Sequence, residues 1–166
     1  LPVTYATAHL EGKLADLDGW VPRNCSIGRA LDVIGTRSAL LILREAFYGV
    51  KRFDDFVRRL EMTEAVISAR LRELVDVGVL EKVPYREPGQ RARSEYALTQ
   101  MGLDLLPSLL ALMRWGDTYL ADRGGPIALN HLGCGAPVEV RVVCDEGHDV
   151  GLGELTMSSR SRQARP

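Results

Sequence analysis

Between residues 51 and 80, apolar and polar positions recur with the period of two short helices. Phe53, Phe56, Val57 and Leu60 stand three or four residues apart, and Val66, Ile67, Leu71, Leu74 and Val75 repeat the spacing before Gly78 stops the run. Thr63 precedes the second run as an N-cap candidate, because its hydroxyl can accept from an otherwise unpaired backbone N–H. Helices this short cannot hide their apolar faces alone, so elements on both sides must pack against them. Upstream, residues 25–34 predict a helix capped by Asn24, with Ile27, Leu31 and Ile34 inward and Gly35 at its end. Residues 37–48 predict a second helix, apolar enough through Leu40, Leu41, Ile42 and Leu43 to be central and buried. Downstream, residues 80–84 and 95–99 read as two strands joined by a polar loop that turns at Pro88-Gly89.

Residues 100–121 predict a long helix, with Pro107 kinking it or sitting in its first turns. Its leucines exceed what one small domain can cover, which points to a dimer interface shared with the helix at 25–34 and the N-terminal arm. That arm, residues 1–24, predicts one short helix over 8–17, with Leu10, Leu14 and Leu17 on one face. At the other end, Val138, Val140 and Val142 alternate within a small β appendage at 124–150, and the Gly-, Ser- and Arg-rich residues 151–166 predict a disordered tail. The expected fold class is therefore α+β, mainly α. A helix, a turn, a helix and a basic hairpin, in that order, build a winged helix-turn-helix domain over residues 25–99. A C-terminal helix follows at 100–123, then the appendage and tail.

Composition adds less than charge distribution does. The 166 residues are 46% apolar and 26% charged, which predicts a packed core. No apolar run approaches the roughly 18 residues of a membrane span. No secretion signal is expected, and three scattered cysteines do not make a disulfide framework, so the expected compartment is the cytoplasm. The net charge of −1 looks wrong for a nucleic-acid binder. Yet Lys82, Arg86, Arg91 and Arg93 face only Glu87 across the hairpin segment, and the acids cluster elsewhere.

With Ile67 at the centre of the buried face and about 100° per residue, Ala65, Ser68, Ala69 and Arg72 of the second short helix point outward, flanked by Val66, Arg70 and Glu73. Small outward residues let a helix sink into the major groove, where Ser68, Arg70 and Arg72 would donate to base edges. Lys51, Arg52, Arg37 and the hairpin cations Lys82, Arg86, Arg91 and Arg93 would hold phosphates, with Thr63 at the helix start. Arg37 has a second reading, a surface cation paired with Glu45 or Asp32.

Several segments together resemble the HxlR-type branch of the MarR-like winged-helix transcription regulators. They are Cys25 followed by ALDVIG, then LLILREAFYGVKRFDDF, ISARLRELVDVGVLEK, SEYALTQMG and LMRWGD, spanning residues 25–117. The resemblance implies a homodimer on pseudo-palindromic operator DNA. One position departs from the family: Ser38 stands where a tryptophan is usual. Members often carry a redox- or electrophile-sensing cysteine near Cys25, which lies at a helix start where backbone N–H groups favour a thiolate. The other reading of Cys25 is a small buried residue.

His131-x2-Cys134 and Cys144-x3-His148 are two ligand pairs with the look of a zinc knuckle. Longer relatives carry a second Cys-x-x-Cys hook there. Gly147 occupies the place of the missing thiolate, so a lost site is expected, with no cofactor. Bound zinc and a Cys134–Cys144 disulfide are the alternatives. No Ser/His/Asp set, phosphate-cradling glycine loop or His-Glu-x-x-His occurs, so no enzyme is expected. The sequence thus predicts a dimeric DNA-binding transcriptional regulator, a repressor in the first instance, responsive to a small molecule or an oxidant and without a membrane partner. The alternative is a winged-helix protein-interaction module that never touches DNA.

Overall fold

The computed structural model describes residues 7–19, 21, 24–86, 88–89 and 91–159. In chain order the elements are β1 (His9–Glu11), α1 (Ser26–Ile34), α2 (Arg37–Phe47), α3 (Phe53–Leu60), α4 (Glu64–Asp76), β2 (Leu80–Tyr85), β3 (Arg93–Leu98), α5 (Gln100–Leu103), α6 (Leu106–Tyr119) and β4 (Thr156–Ser158). They fall into two units. One is Cys25–Pro137; the other joins the chain up to Asn24 with the chain from Val138.

The larger unit is a winged helix-turn-helix. Its core brings together Ile42 and Leu43 of α2, Phe56 and Leu60 of α3, Ile67, Leu71 and Leu74 of α4, and Val79 and Leu80 at the entry to β2. These are the positions whose spacing puts them on one face of each helix, so the sequence period and the burial agree. Thr36 caps α2 by accepting from the Ala39 N–H at 3.2 Å, and Thr63 caps α4 by accepting from the Val66 N–H at 3.4 Å. Between α3 and α4 the chain turns through Glu61 in the left-handed region, at φ 50°. β2 and β3 pair antiparallel from Leu80↔Leu98 to Tyr85↔Arg93.

The predicted long helix is two helices. α5 is a single turn capped by Thr99, and α6 starts at Leu106 with Pro107 in its first turn. A proline costs least there, since the N–H it lacks would have no helical partner anyway, so it begins a helix instead of kinking one. Gly102 of α5 is buried against Val79, just ahead of β2: a Cβ at this position would lie 2.3 Å from the Val79 carbonyl oxygen. The Thr99 hydroxyl donates to the carbonyls of Gly78 at 2.6 Å and Val79 at 3.2 Å. For α1, the cap position is Cys25 and not Asn24, and its side chain makes no capping bond. Past α6, residues 130–137 form one tight turn, closed by an Asn130↔Pro137 bridge.

In the smaller unit the predicted arm helix is absent. Gly12 sits at φ 59°, a conformation that ends a regular helix, and only one 3-10 turn forms at Gly12–Ala15. β1 precedes it and pairs in parallel with β4, His9↔Thr156 to Glu11↔Ser158. The predicted disorder is corrected with it. Residues 152–158 hold a 3-10 turn and β4, because the arm supplies hydrogen-bond partners that a local reading of composition cannot see. Residues 160–166 of that tail, and 1–6, 20, 22 and 23 of the arm, lie outside the described residues. The valine alternation at 138–142 makes no strand; Val138 and Val142 are exposed, with no facing layer to bury them. A second tight turn closes at Val143↔Asp149.

Candidate nucleic-acid interface

α4 sits on the core through Ile67, Leu71 and Leu74, which leaves Ala65, Ala69 and Arg72 exposed and Ser68 half-buried. That is the outward face the helical period predicts. Arg70 departs from its assigned role. Its guanidinium pairs with Glu73 one turn on, and its Nε is buried with no hydrogen-bond partner. A guanidinium held back along its own helix is poorly placed to read a base edge, so base contact by Arg70 needs Glu73 to release it.

Two cations ahead of α3 are tied to the hairpin. The Arg52 guanidinium lies 4.8 Å from the centroid of the Tyr85 ring. Lys51 Nζ stands 3.9 Å from a Glu95 carboxylate oxygen, and the Lys51 carbonyl accepts from the Tyr96 N–H at 2.8 Å. Lys82 approaches the opposite strand, 6.0 Å from the Tyr96 ring, whose own edge meets Phe56 in the core at 6.2 Å. Stacking on the Tyr85 ring fixes the Arg52 guanidinium by cation–π attraction. Arg86, Arg91 and Arg93 are exposed around the hairpin tip. Arg37 is exposed at the first position of α2. Its alternative partner Glu45 is engaged elsewhere.

Two residues matter more than their spacing suggested. Tyr96 joins the hairpin, the segment ahead of α3 and α4. Burial pushes its phenol above the ordinary range, while the Arg72 charge on α4 pulls it back down. Glu45 is a charged residue in the middle of the core, 2% exposed, bonded by Arg44 at 2.6 Å and by Arg59 of α3. The Glu45 pairing raises the Arg59 pKa above its ordinary value, by hydrogen bonding first and charge second. The signal for Glu45 was present: a lone acid among apolar helix positions, with Arg59 on the facing helix.

The cysteines are free and exposed. Cys25 stands at the N-cap of α1, where its carbonyl accepts from the Arg29 N–H at 3.0 Å, so the buried reading of this thiol does not hold. In the 130–137 turn, His131 Nδ1 lies 3.2 Å from Cys134 Sγ; in the 143–149 turn, His148 Nδ1 lies 3.6 Å from Cys144 Sγ. Each pair is a two-ligand hook. Among the described residues no group of three or more His, Cys, Asp or Glu side chains could hold a metal ion. No helix there is long and apolar enough to cross a membrane.

Comparison with known proteins identifies the family and the fold. A family model described as HxlR-like helix-turn-helix matches residues 33–123. An uncharacterised HTH-type transcriptional regulator of Mycobacterium tuberculosis is 47% identical over 120 residues, which are 72% of this chain and 75% of the relative. Another such regulator, YdeP of Bacillus subtilis, is 33% identical over 97 residues, 57% of this chain and 73% of its own. The crystal structure of PA1607, a proposed transcription factor, superposes with a TM-score of 0.73 at 34% identity, over 85% of this chain and 96% of that one. The redox regulator HypR in its oxidized form gives 0.52 at 30% identity, over 57% of this chain and 96% of its own.

Proposed function

Because the chain belongs to the HxlR-like helix-turn-helix family, we propose that it acts as a dimeric transcriptional repressor that reads pseudo-palindromic DNA through α4. One observation carries this reading: α4 turns Ala65, Ala69 and Arg72 outward beside a hairpin whose tip exposes Arg91 and Arg93. Small residues admit the helix to the major groove, Arg72 and Ser68 donate to bases, and Arg37, Lys51, Arg52 and the hairpin cations hold phosphates. The dimer is supported by apolar side chains that the unit leaves in solvent: Ile27 and Leu31 of α1, Leu112, Trp115 and Tyr119 of α6, and Leu120 just beyond it. Two reading helices then stand about 34 Å apart, one turn of duplex. The protein carries no catalytic role and no cofactor in this reading, and works in the cytoplasm, where the DNA is.

Titrating a labelled fragment of its own promoter at two salt concentrations tests the proposal. Steep weakening with salt is expected; no binding at low salt sinks it. A second reading, a protein-docking module, is favoured by the exposed carboxylates Glu64, Glu73 and Asp76 on α4 and predicts that absence. Cys25 is proposed as a thiol sensor. An oxidant should then weaken DNA binding of the natural chain, and an identical response from Cys25→Ser removes that role.

A further inference from the structure

Tyr85, the last residue of β2, has no part in the reading above, yet two of the cations assigned to phosphate flank its ring. The Arg52 guanidinium lies 4.8 Å from the ring centroid, inside the roughly 6 Å over which a cation is attracted to an aromatic face. Arg52 stands at the N-cap of α3, so the contact joins the helix-turn-helix to the hairpin. Across the ladder Tyr85 is in register with Arg93. Directly opposed residues share a face of a sheet, with about 5 Å between their Cβ atoms, so the exposed Arg93 projects beside the same ring.

The joint is fixed at more than one point. The Lys51 carbonyl accepts from the Tyr96 N–H at 2.8 Å, and Lys51 Nζ stands 3.9 Å from a Glu95 carboxylate oxygen. Residues 51 and 52 are thus held to β2 through Tyr85 and to β3 through Glu95 and Tyr96. Pro84, directly before Tyr85, restricts the backbone that carries the ring. What this secures is an arginine. A loose arginine loses many rotamers when it seizes a phosphate, whereas one already stacked has less to lose. The arrangement also sets two like charges beside one ring, where they repel, and an anion received between them offsets that cost.

We infer that Tyr85 is a positioning residue for DNA binding: its ring holds Arg52 next to Arg93, so that the two guanidinium groups receive one phosphate of the duplex backbone together. This rests on the proposed function and adds to it an uncharged residue that acts through a charged one. The ring and not the hydroxyl does the holding, because the attraction comes from the quadrupole of the aromatic face. A phosphate is the fitting ligand because a guanidinium offers parallel donors to its oxygens. The site is also built from the hairpin and the start of α3, whereas base reading falls to α4.

Titration of the labelled promoter fragment by fluorescence anisotropy, over a series of salt concentrations, tests the role with Arg52→Ala, Tyr85→Leu, Tyr85→Phe and the Arg52→Ala/Tyr85→Leu double variant. Arg52→Ala is expected to weaken binding about three- to tenfold and to lower the salt slope by about 1. Tyr85→Leu should weaken binding by at least about twofold and lower part of the slope, although it removes no charge; a loss of packing alone would leave the slope unmoved. Tyr85→Phe should bind like the original, and the double variant should bind like Arg52→Ala, because the ring acts through that arginine. Discrimination between operator variants should stay the same in all of them. Circular dichroism establishes that each variant is folded, and Tyr85→Met takes the place of Tyr85→Leu if the latter is not. The inference is overturned if Tyr85→Leu leaves the slope unmoved, if its effect adds in full to that of Arg52→Ala, or if Tyr85→Phe loses as much as Tyr85→Leu. An original chain that ignores the fragment at low salt refutes the proposed function and this inference with it, whereas binding that Tyr85→Leu leaves intact refutes the inference alone.

Discussion

The buried carboxylate of Glu45 offers the sharpest quantitative test, because removing the carboxylate and removing its partner should differ clearly in magnitude. Arg59→Ala leaves a carboxylate that is 2% exposed with only Arg44 to neutralise it. Stranding one member of a fully buried pair costs about 3–5 kcal/mol. Here Arg44 remains and both arginines reach solvent at 41% and 47% exposure, so a loss of about 2 kcal/mol is expected. Glu45→Met removes the buried charge and keeps the volume. The arginines return to water, the desolvation cost disappears, and the change should lie within about 1 kcal/mol of zero, on either side. Glu45→Ala lies between, adding a cavity to the lost bonds. Urea unfolding followed by circular dichroism reads all three. With a slope of about 2 kcal/mol/M, Arg59→Ala moves the midpoint down by about 1 M while Glu45→Met leaves it nearly unmoved. If Glu45→Met lost as much as Arg59→Ala, the ion cluster would be a net source of stability and the desolvation argument would fail.

The remaining expectations concern the DNA face and the joint behind it. Arg72→Ala should relax discrimination between operator variants, whereas Arg91→Ala should weaken all sequences alike and reduce the salt slope by about 1; two indistinguishable variants would refute this division of roles. Gly102→Ala drives a methyl against the Val79 carbonyl oxygen and should cost about 1–3 kcal/mol, read as a lower melting temperature. At alkaline pH, Tyr96 should make the fold pH-sensitive. Its folded phenol titrates above its unfolded one, so the neutral ring favours the fold fully below about pH 10, and stability falls as pH rises from there through the folded value. Tyr96→Phe should flatten that decline in alkaline unfolding curves, and an unchanged slope would count against the burial argument.

How much of this was legible beforehand depended on the distance over which the cause acts. α3, the turn and α4 follow from apolar spacing within one or two turns of chain, and Thr63 announces its own cap. The outward face of α4 follows from the same arithmetic. Arg70 does not, because the period that places it on a flank says nothing of Glu73 holding it there. The leucine run that suggested one long helix carries on past Asp104 without marking the break, and of the two places open to Pro107, a kink or a first turn, the structure takes the first turn. Failures at the ends of the chain have a longer-range cause. β1 and β4 exist by pairing with each other, so neither shows in a window of local residues, and a glycine-rich tail read as disorder contains a strand. Glu45 is read from sequence only as a surface partner of Arg37, because a single acid in a helix reads by default as surface, whereas its partners are Arg44 beside it and Arg59 on α3.

The junction at Thr99 has a consequence for how such a protein could measure DNA. One hydroxyl holds the carbonyls of Gly78 and Val79, at the exit of α4, while Gly102 presses its bare backbone against the Val79 carbonyl. The reading helix and the helices that follow it therefore hang from one short weld instead of a linker. In a dimer assembled through α6, the separation between the two reading helices would be cut into the protein like the gap of a caliper. An operator with one extra base pair between its half-sites would miss by both distance and angle, with no slack to take up either. Such a gauge would be reset by substitutions at residues 78, 79, 99 and 102, far from any base, and changes of that kind would alter operator spacing while leaving the preferred half-site untouched.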